Sequence, residues 1–189
     1  MNTIRAFIAV EIDPPNKQKL SELISKLKRS NADIKWATEN QMHLTLKFLG
    51  NIQENKIRDI SLVLKSITDN VSEFYIRLSA IGTFPNMKRP RVIWMGIDNS
   101  RPLKALSNKI ETELEKIGTQ RENREYKAHF TLGRVRTSKN IPGLMKLLNE
   151  VDFCSQDEIK IDKIILFQST LTPKGAIYTP LITQDLRKG

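Results

Sequence analysis

Apolar residues recur along this chain with two distinct periods. Leu20, Leu23, Ile24 and Leu27 fall at i, i+3, i+4 and i+7, the stripe of a helix that packs on one side. Ile57, Ile60, Leu64 and Ile67 make a second such stripe. Leu103, Leu106, Ile110, Leu114 and Ile117 make a third, and Ile141, Leu144, Leu147, Leu148 and Val151 a fourth. Between the stripes lie alternating or unbroken apolar runs of strand type: "RAFIAVEID" from Arg5, "HLTLKFLG" at 43–50, "FYIRLSAIGTF" at 74–84, "RVIWMGID" from Arg91, "HFTLGRV" at 129–135 and "IKIDKIILFQ" at 159–168. A last strand, "AIYTPLIT" at 176–183, follows the turn "TPKG" at 172–175. "IKW" at 34–36 and "REYK" at 124–127 are further strand candidates.

The order of these elements repeats. Arg5 to His43 is 38 residues, and so is Arg91 to His129, so a single offset of 86 superimposes both strand starts and both histidines. Each half reads strand, helix, strand, helix, strand. Two such units, with helices packed on sheets, predict an α+β protein of two similar lobes, with repeat halves at about 1–86 and 87–189. No low-complexity segment or linker separates them.

Composition narrows the class. No run of 18 apolar residues exists, and the N-terminal "MNTIRAFIAVEI" alternates like a strand and lacks a cleavage pattern. A cytoplasmic protein is expected. The single cysteine, Cys154, excludes an internal disulfide and a Cys-based metal site, and is expected to be a small buried apolar residue. The net charge of +10 suits a phosphate-rich partner or a solvated Lys-rich surface. Basic residues cluster in "NMKRPR" at 86–91 and "RENREYK" at 121–127.

The two histidines are the only ones in the chain, and both stand in the pattern H-x-T-L. In a strand, i and i+2 share a face, so His43 points with Thr45 and His129 with Thr131, while Leu44, Leu46, Phe130 and Leu132 point toward the helices. Pseudo-twofold symmetry then sets two imidazoles and two hydroxyls around one space. One imidazole can take a proton while the other gives one, and hydroxyls can donate to phosphate oxygens. That set suits phosphodiester chemistry and does not require a metal. Metal ligation fits less well, because no carboxylate stands at helical spacing from either histidine. No P-loop, dinucleotide-binding glycine motif or "GxSxG" is present.

These motifs resemble the 2H phosphoesterase superfamily, and more narrowly its RNA 2′,3′-cyclic phosphodiesterases, also called 2′-5′ RNA ligases. The resemblance runs from "RAFIAVEI" through "KWATENQMHLTLKFLG" at 35–50, "FPNMKRPRVIW" at 84–94 and "AHFTLGRV" at 128–135 to "QSTLTPKGAIY" at 168–178. Ala128 stands where the family usually has proline. The resemblance implies a single bilobal domain over 1–189, of two interleaved lobes whose antiparallel-rich sheets flank a cleft, with helices outside. It implies hydrolysis of an RNA terminal 2′,3′-cyclic phosphate to a 2′-phosphate, with reversible 2′-5′ joining of ends in some members, and no cofactor or metal. It assigns His129 as proton acceptor and His43 as proton donor, a choice the sequence symmetry cannot make. Thr45 and Thr131 would hold the phosphate.

Phe48 and Arg134 both follow their histidine by five residues. An odd offset turns a strand residue to the opposite face, so either reaches the groove only if a bulge intervenes. There Phe48 would stack on a base and Arg134 would meet phosphate or the base edge. Lys47, Lys88, Arg89 and Arg91 are expected to attract phosphate generally, and Trp36 and Trp94 to lie in the core. The implied partner is an RNA end, such as one derived from tRNA, with the chain a monomer and no membrane contact. Two other functions fit the same residues: a related enzyme acting on a small cyclic or 2′,5′-linked nucleotide, and a non-catalytic RNA-binding module.

Overall fold

A computed structural model describes residues 2–151, 153, 157–173 and 175–189. Cys154 and Lys174 of the "TPKG" turn lie outside the described residues. The elements run β1 (Thr3–Glu11), α1 (Pro14–Lys28), β2 (Ile34–Trp36), a 3-10 turn (Glu39–Gln41), β3 (His43–Gln53), α2 (Lys56–Thr68), β4 (Phe74–Phe84), β5 (Val92–Asp98), α3 (Arg101–Glu115), β6 (His129–Val135), α4 (Ile141–Glu150), β7 (Ile159–Ile161), β8 (Lys163–Thr172) and β9 (Gly175–Asp185). Among the described residues no helix is long and apolar enough to cross a membrane.

The four helices form where the stripes predict. Their buried residues, Leu20 and Leu27 of α1, Leu64 of α2, Leu106 and Ile110 of α3 and Leu144 of α4 among them, pack with Ile8, Leu44, Leu46, Ile93, Phe130 and Leu132 in one continuous core. The apolar residues of the histidine strands therefore face the helices. Asp13 starts α1 by accepting from the Asn16 backbone N–H at 2.9 Å, and Pro14 follows it in the first turn.

Two sequence readings need correction. "REYK" forms no strand, whereas "IKW" is β2 and pairs with β6. "IKIDKIILFQ" is two strands in different sheets, broken at Asp162, whose carbonyl accepts from the Leu186 backbone at 2.7 Å. The break falls where the apolar pattern changes. Ile159, Lys160 and Ile161 alternate buried and exposed, as suits an edge strand, whereas Ile164 to Phe167 are all buried, as suits an inner one.

The sheets are antiparallel, in the orders β3-β1-β8-β9 and β2-β6-β5-β4-β7. Each draws on both halves of the chain. β1 and β3 build the first sheet while β4 crosses to the second; β5 and β6 build the second while β8 crosses to the first.

Both histidine strands carry a bulge at the same point of the repeat. In β3, Ile8 pairs with Lys47 and Ala9 with Thr45, leaving Leu46 unopposed. In β6, Ile93 pairs with Gly133 and Trp94 with Thr131, leaving Leu132 unopposed. The extra residue shifts the alternation by one. Leu46 and Lys47 are consequently both buried, as are Leu132 and Gly133, and Phe48 and Arg134 come round to the histidine face.

The buried residue behind each bulge differs. Lys47 donates to Glu111 Oε2 of α3 at 2.5 Å and to the Gln120 carbonyl at 2.9 Å, while Ser107 Oγ donates to the Leu46 carbonyl at 2.8 Å. Glu111 also accepts from the Glu122 backbone at 3.2 Å. Lys47, expected on the sequence to attract phosphate, is thus a buried strut with its side chain only 1% exposed; the bulge turned it inward. At Gly133 a Cβ would come within 2.7 Å of Ile34 Cγ2 and 2.9 Å of Trp36, so β2 closes over a position that only glycine leaves open. Replacing Lys47 by Met strands the Glu111 carboxylate in the core. Urea unfolding should show a loss of about 3–5 kcal/mol, and Lys47→Met with Glu111→Leu should recover much of it.

Candidate active site

The two sheets enclose a cleft of about 570 Å³. His43, Thr45 and Phe48 from β3 line it, and so do His129, Thr131 and Arg134 from β6. The six residues put forward in the sequence as proton-transferring or substrate-binding thus meet in one place. Lys88, Arg89 and Arg91 sit outside the cleft lining, exposed on and beside the β4–β5 connection.

Each imidazole is held between aromatic rings. His43 lies 4.7 Å from Phe7 and 4.9 Å edge-on from Tyr178, centroid to centroid. His129 lies 5.0 Å edge-on from Phe84, with Trp94 at 6.4 Å. The Trp94 indole lies across Gly82 and Gly96, where Cβ atoms would approach to 2.2 and 3.1 Å; two glycines make its bed. Trp94 is half-buried and walls a neighbouring hollow, whereas Trp36 packs on the core with one side and lines the cleft with the other.

His129 Nδ1 is 2.6 Å from the Lys127 carbonyl. A carbonyl only accepts, so Nδ1 carries the proton and Nε2 is left with the lone pair. Burial pushes the His129 pKa below its ordinary value, and the nearby Arg134 adds to this, while the Lys127 carbonyl works against them. For His43 burial is again the main cause, with the Lys17 ammonium adding and a hydrogen bond to the Gln41 backbone opposing; its pKa falls to about 4. Both rings are therefore neutral in the empty cleft at pH 7.

Sequence reasoning missed Arg5, Lys35, Gln41, Ser169, Leu171 and Tyr178 in the cleft wall. Arg5 was legible: in "RAFIAVEID" it shares the parity of Phe7, which lines the cleft and packs with Ala9, Ile165 and Phe167. Lys35 and Tyr178 stand on edge strands, where one strand alone does not tell which face is covered. Among the described residues no Asp or Glu lines the cleft. The site is a concave, cationic space with paired imidazoles and hydroxyls, the equipment of a phosphoester-handling protein.

Comparison with known proteins assigns the class. The family model for the LigT-like phosphoesterases matches residues 10–94 and again 96–178, two segments whose starts are 86 residues apart. The chain belongs to that family. It is 33% identical to an RNA 2′,3′-cyclic phosphodiesterase of Methanothermobacter thermautotrophicus, covering 94% of this chain and 96% of that one. It is 35% identical to a protein of the same name from Thermotoga maritima, covering 94% and 93%. The fold matches TT0787 of Thermus thermophilus with a TM-score of 0.80 at 24% identity, over 98% of this chain and 99% of that one. It matches E. coli LigT, solved with 3′-AMP, with a TM-score of 0.80 at 22% identity, over 99% and 100%.

Desolvation by the protein is the main cause of both depressed pKa values, and an anion in the cleft acts in the opposite direction. An NMR titration of the free protein should show one imidazole with a midpoint near 4, lost as a signal in His43→Asn. Saturating inorganic phosphate should raise it. A midpoint near 6.5 without phosphate would mean that His43 is solvated.

Proposed function

We propose that this protein hydrolyses the 2′,3′-cyclic phosphate at an RNA end to a 2′-phosphate, using His129 as base and His43 as acid and needing no metal. The observation that carries the reading is that both H-x-T pairs, 86 residues apart in the chain, line one cleft between the sheets. The names of the relatives, RNA 2′,3′-cyclic phosphodiesterases over nearly the whole length, support the same substrate. The reading takes residues 1–189 as one domain of two interleaved lobes, acting as a monomer in the cytoplasm, with tRNA-derived ends a fitting source of substrate.

In this mechanism Thr45 and Thr131 donate to the non-bridging phosphate oxygens. His129 Nε2 takes a proton from water as the water oxygen bonds to phosphorus. The bond from phosphorus to the 3′-oxygen breaks, and His43 gives its proton to that oxygen. The phosphate remains on the 2′-oxygen, and the two imidazoles exchange protons with solvent before the next cycle. Arg134, whose charge is felt at His129, offsets charge on the phosphoryl group. Phe48, 66% exposed and inside the cleft, offers an apolar face to the terminal base. A 5′-hydroxyl in place of water would give the 2′-5′ joined product by the same steps.

His43 works as an acid only when charged, and its burial opposes that charge. The substrate supplies the remedy: an anionic phosphate beside both rings raises both pKa values. The bell-shaped profile of kcat/KM reports the free protein and that of kcat the complex, so the kcat/KM bell should be displaced to lower pH than the kcat bell. Coincident bells would contradict the assignment. With EDTA present, His43→Ala and His129→Ala should each lower turnover of a cyclic-phosphate RNA by about 10²–10⁴, and the wild-type product should carry a 2′-phosphate. A double variant with near-normal turnover, or a wild type silenced by EDTA, would overturn the mechanism.

A further inference from the structure

Three cations line the cleft: Arg5 from β1, Lys35 from β2 and Arg134 from β6. Among the described residues twelve ion pairs form, and none involves these three. A nucleoside 2′,3′-cyclic phosphate brings one negative charge, and Arg134, placed by its bulge beside the histidines, suffices to meet it. Three like charges in a space without carboxylates call for a ligand with more anionic groups.

The other two cations stand on β1 and β2 in the same cleft lining. Arg5 lies two residues from Phe7 on the same face of β1, about 6.6–6.8 Å further along the strand, and it is Phe7 whose ring touches His43. Lys35 pairs with Arg134 across β2 and β6, and its ammonium lies 3.6 Å from where a side chain on Gly175 would begin. It therefore stands beside the start of β9, where the Gln41 amide donates to the Ala176 carbonyl at 2.8 Å. The apolar lining is likewise more than one base requires: Phe48 and Leu171 are each 66% exposed, and Trp36 joins them.

We infer that Arg5 and Lys35 form a second anion subsite, which takes the phosphodiester upstream of the cyclic end and makes an oligonucleotide, rather than a mononucleotide, the substrate. The inference rests on the function proposed above and deepens it. Phe48 then takes the terminal base, and Trp36 or Leu171 the one before it.

Binding and turnover test it separately. Binding of a trinucleotide ending in a 3′-phosphate is compared with that of a nucleoside 3′-monophosphate, and turnover of the matching 2′,3′-cyclic phosphates is measured alongside. The wild type should prefer the trinucleotide by about tenfold or more, as expected for a charge-assisted contact. Arg5→Gln and Lys35→Gln should each reduce that preference several-fold through KM, and lower the salt slope of trinucleotide binding by about 0.7. Arg5→Lys should retain most of the preference. Equal use of both substrates by the wild type, or a preference unchanged in both Gln variants, would overturn the inference. So would a nucleoside triphosphate that displaces the trinucleotide at lower concentration than the trinucleotide itself binds, since the cations would then serve a small polyphosphate. A binding preference that depends on Arg5 and Lys35, with neither cyclic phosphate turned over, would support the subsite and sink the hydrolase reading.

Discussion

A strand side chain reaches the cleft only if its parity matches that of the histidine, and one unopposed residue between Thr45 and Lys47 in β3, and one between Thr131 and Gly133 in β6, sets that parity for Phe48 and Arg134. Without Leu46 as an extra residue, Phe48 would enter the core and Lys47 would enter the cleft; the same holds for Leu132, Arg134 and Gly133. The bulges are held from behind. In β3 the lysine that alternation would have sent to the cleft is tied to Glu111 and to the carbonyl of Gln120, on the segment leading to His129. The strand that carries one histidine is thereby joined to the approach of the other strand. The ionic pair is buried, so its value lies less in net stability than in fixing one geometry.

The electrostatics of the cleft follow from the same packing. Aromatic rings beside each imidazole exclude water, and exclusion of water keeps both rings uncharged. Backbone carbonyls at Lys127 and the backbone of Gln41 orient them and favour the proton. The Lys17 ammonium acting on His43 and the Arg134 guanidinium acting on His129 push the other way. An arriving phosphate reverses the balance, because it both neutralises the cations and favours a charged imidazole. In the mechanism proposed above, the free protein is thus held away from the protonation state that turnover needs, and the substrate's own charge brings it there.

Much of this was legible in the chain. The four apolar stripes and the strand runs gave their elements, and two histidines in a repeated context pointed to one site. What escaped was whatever depends on a neighbour. The phase shift that buries Lys47 is visible only once β1 is paired with β3, since nothing in "HLTLKFLG" says which residue lacks a partner. The break at Asp162 hid inside one apolar run because a crossing between sheets leaves no gap in the pattern. The crossover of β4 and β8 is a property of the whole topology. Arg5 is different, because alternation alone set it beside Phe7 and Ala9, and attention to polar positions within apolar strands would have found it.

The duplication gives similar histidine strands to the two halves, yet the proposed reaction is directional: one imidazole must accept a proton and the other must give one. A symmetric cleft would bind a cyclic phosphate equally well in either sense. The symmetry is broken at the position just past each bulge, where one half carries Phe48 and the other Arg134. An aromatic ring on one side and a guanidinium on the other present different surfaces to a base and to a phosphate, so a nucleotide is favoured in one orientation. In the mechanism proposed above, the proton roles of His43 and His129 follow from where the substrate's base lies as well as from the different surroundings of the two rings. Under that proposal Phe48 and Arg134, which exchange no proton themselves, set which histidine faces the attacking water.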